Sequence, residues 1–145
     1  MILPDANLLL YAEDTSSRHH EFSRLWWDGC LSGTERVCLC WQVVVAFIRI
    51  ATNPRLHEYP LTQEEAINRV ESWLDQPCVR LIAPGGLHWQ EFKTLLIESE
   101  ALGNLVSDVH LAALAQEHGC VLYSTDRDFA RFRSLKWVNP VDGQN

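Results

Sequence analysis

The sequence has no apolar run approaching the roughly 20 residues that a membrane-spanning helix requires, so it predicts no membrane segment. Its start also lacks the basic region and small-residue cleavage site of a secretory signal, and we therefore expect a cytoplasmic protein. The five cysteines are an odd number at irregular spacing, which argues against a disulfide framework. Cys38 and Cys40, two apart in a predicted strand, would point to opposite faces and could not chelate one metal ion.

Positive charge is also scarce, because 12 Lys and Arg residues stand against 19 Asp and Glu residues and the formal net charge is −7. Such a chain has no general electrostatic attraction for nucleic acid, so a phosphate-bearing substrate would need bound cations or local arginines. The six histidines lack zinc-site spacing. The sequence has neither a phosphate-binding P-loop nor a Gly-x-Ser-x-Gly nucleophile turn. These absences turn attention to the acidic residues.

Short apolar strands alternate with amphipathic helices along all 145 residues. We predict strands around residues 2–5, 37–39, 79–82, 121–124 and 136–138. Residues 6–12 are predicted as a short buried helix or a continuation of the first strand. Further helices are predicted at 17–31, 43–51, 88–99, 108–118 and 129–132, and from Thr62, where Glu65 completes a capping box. The alternation predicts a single α/β domain over residues 1–145, a three-layer α/β/α sandwich with a central, mostly parallel sheet.

Four aspartates follow predicted strands or begin a predicted helix. Asp5 follows the first strand, Asp126 and Asp128 follow the fourth, and Asp108 begins a helix. Because the carboxyl ends of parallel strands share one edge of a sheet, we expect these side chains to lie close together. Carboxylates gathered in this way repel one another unless a hard cation lies between them. The spacing therefore predicts a Mg²⁺ or Mn²⁺ site.

Each aspartate also has an ordinary structural explanation. Asp5 could be a turn residue, and Asp108 and Asp126 could be helix N-caps, with Thr125 and Asp128 forming a capping-box pattern around Asp126. Their shared position at one edge of the sheet favours a catalytic or metal-binding role instead. Several carboxylates without an obvious nucleophile suit metal-assisted phosphodiester hydrolysis, in which the cation polarises the phosphate and activates a water. A glycosidase-like carboxylate pair is an alternative, although it would not need four acids.

Polar and basic residues near these acids are the next candidates. We expect Asn7, Ser107 and Thr125 to hydrogen-bond the acids and orient them. For Arg127, which lies between two of the acids in sequence, an intramolecular ion pair is an equal alternative to phosphate contact. The candidates for phosphate contact are Arg49, Arg55, Arg127 and Arg131.

Several segments resemble the PIN domain family and, within it, the VapC toxins. They are Asp-Ala-Asn-Leu-Leu at 5–9, Asp-x-x-Leu-Ala-Ala-Leu-Ala at 108–115 and Ser-Thr-Asp-Arg-Asp-Phe at 124–129. Residues 47–55 and 137–140 look like a mycobacterial-type branch of those toxins. The resemblance covers nearly the whole chain and implies a type II toxin, a Mg²⁺- or Mn²⁺-dependent endoribonuclease that cleaves RNA by metal-activated water. It also implies an antitoxin partner that blocks the site, and a homodimer or a larger toxin–antitoxin assembly.

Carried over by position, the resemblance assigns Asp5, Asp108 and Asp126 as metal ligands and Asp128 as an additional catalytic acid. The chain departs from the family at the second acid, because Ala46 stands where a glutamate is usual. Gln42, one helical turn earlier, is the nearest polar residue and bears no charge. This departure leaves open the alternative that the chain is a catalytically weak or inactive PIN-like binding module. A small phosphatase or other Mg²⁺ hydrolase on a similar sheet is a third alternative.

Two adjacent tryptophans on the predicted helix at 17–31 cannot both face the core, because neighbouring helical residues point about 100° apart. We favour core packing for Trp26 over Trp27. An exposed apolar patch there would suit an antitoxin helix or a second copy of the chain.

Overall fold

A computed structural model describes residues 1–142 and contains one five-stranded sheet in the order β3-β2-β1-β4-β5. All four strand pairings are parallel, and the register aligns Pro4 at the end of the first strand with Tyr123 at the end of the fourth. The predicted parallel sheet is therefore confirmed. The strands are β1 Ile2–Pro4, β2 Val37–Leu39, β3 Val79–Leu81, β4 Val121–Tyr123 and β5 Trp137–Val138.

Helices connect consecutive strands and fall into two packed groups. The first group contains α1 packed on both α2 and α3, with α4 on α3, while α5 packs on α6 in the second group. The connections that contain α1 to α4 run from β1 towards β3, whereas the connection that contains α5 and α6 runs back from β3 to β4. Since parallel crossovers are right-handed, these opposite directions place the two groups on opposite faces of the sheet. This confirms the three-layer sandwich. The helices are α1 Ala6–Glu13, α2 His20–Ser32, α3 Trp41–Ala51, α4 Gln63–Leu74, α5 His88–Ser99, α6 Leu105–His118 and a 3₁₀ helix at Arg127–Arg131.

Local sequence signals explain most helix ends. The predicted capping box is confirmed, because the Glu65 backbone N–H donates to Thr62 Oγ1 at 3.1 Å and the Thr62 N–H donates back to the Glu65 carboxylate. Helix α6 ends as predicted at Gly119, whose φ of 68° suits glycine. Helix α2 begins three residues later than predicted, because Asp14 accepts bonds from the backbone N–H and hydroxyl of Ser16 and holds a turn there.

The strands β1 and β2 are buried along their whole length, but the packing around the sheet corrects one side-chain prediction. Trp27 is completely buried and packs edge-on against Trp73, with ring centroids 5.6 Å apart. Trp26 is only half-buried and lies against Tyr123, so the preference for Trp26 in the core is wrong. The buried face of α2 runs through Ser23 and Trp27, and the serine conceals that face in the hydrophobic pattern.

The structure also bears on two features that the sequence was expected to lack, disulfide bonds and a membrane-spanning helix. All five cysteines are free, as expected for a chain without a disulfide framework. Across residues 1–142, every helix is too short or too polar to cross a bilayer.

Candidate metal centre

The candidate site lies at the carboxyl ends of β1 and β4, where the chain direction across the sheet reverses. Connections from β1 lead to β2 and β3 on one side, whereas β4 and β5 lie on the other. Such a switch point forms the crevice in which open α/β sheets bind ligands. The Asp5 backbone N–H donates to the carbonyl of Tyr123 at 2.8 Å, so Asp5 and Ser124 lie side by side although they are 119 positions apart.

Three aspartates converge here. Asp108, Asp126 and Asp128 each present one carboxylate oxygen, and the three oxygens lie within 4.8 Å of one another. Within residues 1–142 this is the one group of three or more His, Cys, Asp or Glu side chains with that geometry. Asp108 lies in the first turn of α6, while Asp126 caps the 3₁₀ helix by accepting a 2.8 Å bond from the Asp128 backbone N–H. The capping role therefore coexists with membership of the acidic group.

Asp5 lies beside this group and is held differently. Its Oδ1 accepts from the Ala6 backbone N–H at 2.7 Å at the start of α1, and its Oδ2 accepts from the Ser124 hydroxyl at 2.8 Å. The sequence predicted Asp5, Asp108 and Asp126 as the ligand set. In the structure Asp128 groups with Asp108 and Asp126, and Asp5 lies beside them with both oxygens hydrogen-bonded, so the ligand assignment stays a prediction.

Negative charge accumulates in this crevice. Burial, followed by the charges of Asp126, Asp5 and Asp128, raises the pKa of Asp108 to about 6. Burial also raises the pKa of Asp5, opposed by the hydrogen bonds to its oxygens, and the Asp126 charge adds to the rise. A divalent cation would relieve this repulsion, and carboxylate oxygens are the ligands that Mg²⁺ and Mn²⁺ prefer.

Ser124 links the acids and was missed in the sequence analysis. Its side chain is completely buried, and its hydroxyl donates to Asp5. The same oxygen accepts from Asn7 Nδ2 at 3.1 Å and from the Asp126 backbone N–H at 3.0 Å. The sequence feature that could have identified Ser124 was its position, since it directly follows the strand that pairs with β1. Asn7 thus bonds Ser124 and not an acid itself, and its predicted support of the acids stays a prediction.

The other two predicted supporting residues behave differently. In the part of the chain that the structure describes, the hydroxyls of Ser107 and Thr125 form no hydrogen bonds with the acids, and the Ser107 side chain is exposed. Their supporting role therefore stays a prediction. Side chains alternate along an extended chain, so Ser124 points inward where β4 ends and Thr125 does not.

Helix α3 reaches the site through Gln42. Its Nε2 donates to the backbone carbonyl of Ser107 at 3.1 Å, in the turn of α6 that carries Asp108. Ala46, where the sequence comparison placed the missing acid, is half-buried and packs against the hydrophobic core. The polar side chain of α3 that contacts the turn carrying Asp108 is therefore Gln42.

The four candidate arginines occupy different surroundings. Arg131 lies near enough for its positive charge to oppose the rise in the pKa of Asp108. Arg127 donates to Asp142 at 2.8 Å, which confirms the ion-pair alternative. Arg49 and Arg55 are exposed and form no ion pairs within residues 1–142.

Comparison with known proteins agrees with this architecture. The PIN domain family model matches residues 2–135, and the chain belongs to this family. It is similar to Ribonuclease VapC37 of Mycobacterium tuberculosis, with 44% identity over 140 residues that cover 97% of each sequence. The predicted resemblance to VapC toxins is thus confirmed.

Solved structures show the same fold at low sequence identity. VapBC2 from Rickettsia felis, bound to a DNA fragment from its promoter, matches with a TM-score of 0.70 and 16% identity over 96% of this chain and 98% of that one. A toxin-antitoxin complex from Klebsiella pneumoniae matches with a TM-score of 0.66 and 17% identity over 97% and 98% of the two chains.

Proposed function

We propose that this chain is a Mg²⁺- or Mn²⁺-dependent endoribonuclease and the toxin of a type II toxin–antitoxin module, acting in the cytoplasm as a single domain. The observation that carries the proposal is the group of three carboxylate oxygens within 4.8 Å at the switch point of the sheet. The name of the relative Ribonuclease VapC37 supports RNA as the substrate. The toxin-antitoxin complex with the same fold supports an antitoxin partner and a larger assembly.

The side chains present fit a hard divalent cation. Three carboxylates supply negatively charged oxygens, and the raised pKa of Asp108 reflects the burial and like charges that a cation would offset. When bound, the cation would polarise a phosphate and lower the pKa of a nearby water. Because the chain carries a net charge of −7, its attraction for RNA phosphates near the acids depends on that added positive charge.

Each residue then has a defined task. Asp108, Asp126 and Asp128 would hold the cation, while Asp5, fixed by Ser124 and the start of α1, adds negative charge beside them. Arg131 is exposed and close to Asp108, which supports a contact with substrate phosphate. The other candidates for phosphate contact are Arg49 and Arg55, whose side chains have no ion-pair partner in the described part of the chain, and Arg127, which pairs with Asp142.

The test is RNA cleavage by the purified chain, without an antitoxin, in Mg²⁺ and in EDTA. Asp108→Asn and Asp126→Asn each remove one charge, and asparagine can still cap the 3₁₀ helix at position 126. We expect each to reduce cleavage by more than about a hundredfold, since even partners outside a metal's ligand set contribute 10–100-fold. Asp75→Asn, at the exposed end of α4, is the matched control and should cleave normally.

Three outcomes would contradict the proposal. Cleavage by both site variants at the level of Asp75→Asn would show that the acids have no role in the reaction. Undiminished cleavage in EDTA would exclude a reaction that depends on a divalent cation. Hydrolysis of small phosphomonoesters without RNA cleavage would indicate a phosphatase instead.

A further inference from the structure

Two carboxamide side chains flank the acidic group and share an unusual feature. Gln42 on α3 donates its Nε2 to the Ser107 carbonyl, and Asn7 on α1 donates its Nδ2 to Ser124. The amide oxygens of both, Gln42 Oε1 and Asn7 Oδ1, are buried and have no hydrogen-bond partner within residues 1–142.

Buried acceptors of this kind are uncommon, because most buried polar atoms in proteins are hydrogen-bonded. In each case the amide nitrogen is held by a neighbour of a site acid, since Ser124 binds Asp5 and Ser107 precedes Asp108. The oxygen shares its carbon with that nitrogen, so the same hydrogen bond fixes it next to Ser124 in one case and next to Ser107 in the other. Helices α1 and α3 thus each carry an unpaired acceptor that is held by a direct neighbour of a site acid.

A hydrated cation would supply the missing donors. Mg²⁺ gives up its water ligands reluctantly and keeps several of them in protein sites, and each water has hydrogens to donate. Neutral acceptors suit this crevice better than further carboxylates, because neighbouring charges and burial already raise the pKa of Asp108. Amide oxygens bind the waters without adding to the repulsion.

We propose that Gln42 and Asn7 are positioning residues for the cation, whose carboxamide oxygens accept hydrogen bonds from its water ligands. This inference rests on the proposed function, because it assumes a cation among the three aspartates. It assigns a role in the site to helix α3, which contributes no acid there. The oxygen of Gln42 is the functional atom, and its nitrogen serves to orient it.

The test measures Mn²⁺ affinity of the full chain without RNA, by electron paramagnetic resonance of free Mn²⁺ and by the shift of Tm with added Mn²⁺. Gln42→Met and Asn7→Leu keep similar length and remove the oxygen. We expect each to weaken Mn²⁺ binding by about tenfold, the lower end of the range for partners outside a metal's ligand set. Gln76→Met is the matched control, since Gln76, just after α4, also donates its amide to a backbone carbonyl, that of Ser72 at 3.2 Å.

Gln42→Glu separates positioning from simple structural support. Glutamate keeps an acceptor oxygen and adds a negative charge that attracts the cation, which offsets the loss of the orienting bond to Ser107. The proposal therefore predicts binding at least as tight as that of the original chain, whereas a role limited to the Ser107 bond predicts an affinity no higher than that of Gln42→Met. Weakened binding in Gln42→Glu, or equal affinities for Gln42→Met and Gln76→Met, would overturn it. Absence of any Mn²⁺ binding by the unmodified chain would overturn the proposed function as well, so the two failures are distinguishable.

Discussion

Replacing Ser124 with alanine tests whether the protein itself holds the acids in place. The change removes a 2.8 Å bond to the Asp5 carboxylate and bonds of 3.1 and 3.0 Å from Asn7 and the Asp126 backbone. A hydrogen bond to a charged group contributes about 1.5–3 kcal/mol and a neutral one about 0.5–1.5 kcal/mol. Since losses within one network are not additive, we expect the free energy of unfolding to fall by about 3 kcal/mol.

The assay is urea unfolding at neutral pH in EDTA. With a slope of about 2 kcal/mol per molar urea, the midpoint should fall by about 1.5 M. Ser23→Ala is the matched control, because Ser23 is equally buried but its hydroxyl has no partner within residues 1–142. Removing an unpaired buried hydroxyl should leave stability unchanged or slightly raised. Equal midpoints for the two alanine variants would refute the reasoning.

Two further predictions concern buried charge. The Glu13 side chain is 8% exposed and pairs with Arg24 at 2.9 Å and with Arg69 at 2.8 Å. Because both arginines are partly solvated, Glu13→Ala should lower the free energy of unfolding by about 2 kcal/mol. Asp28→Ala, which removes the exposed partner of Arg24, should cost under about 0.5 kcal/mol in the same urea assay, and equal losses would contradict this. The pKa of Asp108 is raised from 3.8 to about 6 in the folded chain, so the folded state binds the extra proton and metal-free stability should fall as pH rises through that interval. Asp108→Asn should flatten that part of the profile of urea midpoint against pH, and parallel profiles would count against the raised pKa.

The sequence was sufficient to predict the sheet and the approximate place of the acids, because both depend on local pattern. Asp5 directly follows β1 and Asp126 comes three residues after the end of β4. Because these two strands pair in register, the meeting of the acids at one edge follows from the parallel topology. The grouping of oxygens within 4.8 Å depends instead on the 3₁₀ helix, which turns Asp128 back towards Asp126. That geometry has no periodic signature in the sequence.

Contacts between distant elements were also beyond local reasoning. Gln42 and Ser107 are 65 positions apart, and their hydrogen bond arises only because the first turn of α3 lies against α6. Ser23 occupies a fully buried position on α2, so the apolar pattern of that helix favoured Trp26 where packing selects Trp27. In both cases tertiary packing overrides what the neighbouring residues indicate.

The most direct measurement for the whole account is anomalous diffraction from crystals of the chain soaked in Mn²⁺ at neutral pH. An anomalous peak in contact with carboxylate oxygens of Asp108, Asp126 and Asp128 is the predicted result. Crystals that bind Mn²⁺ only at places away from these three side chains would contradict it.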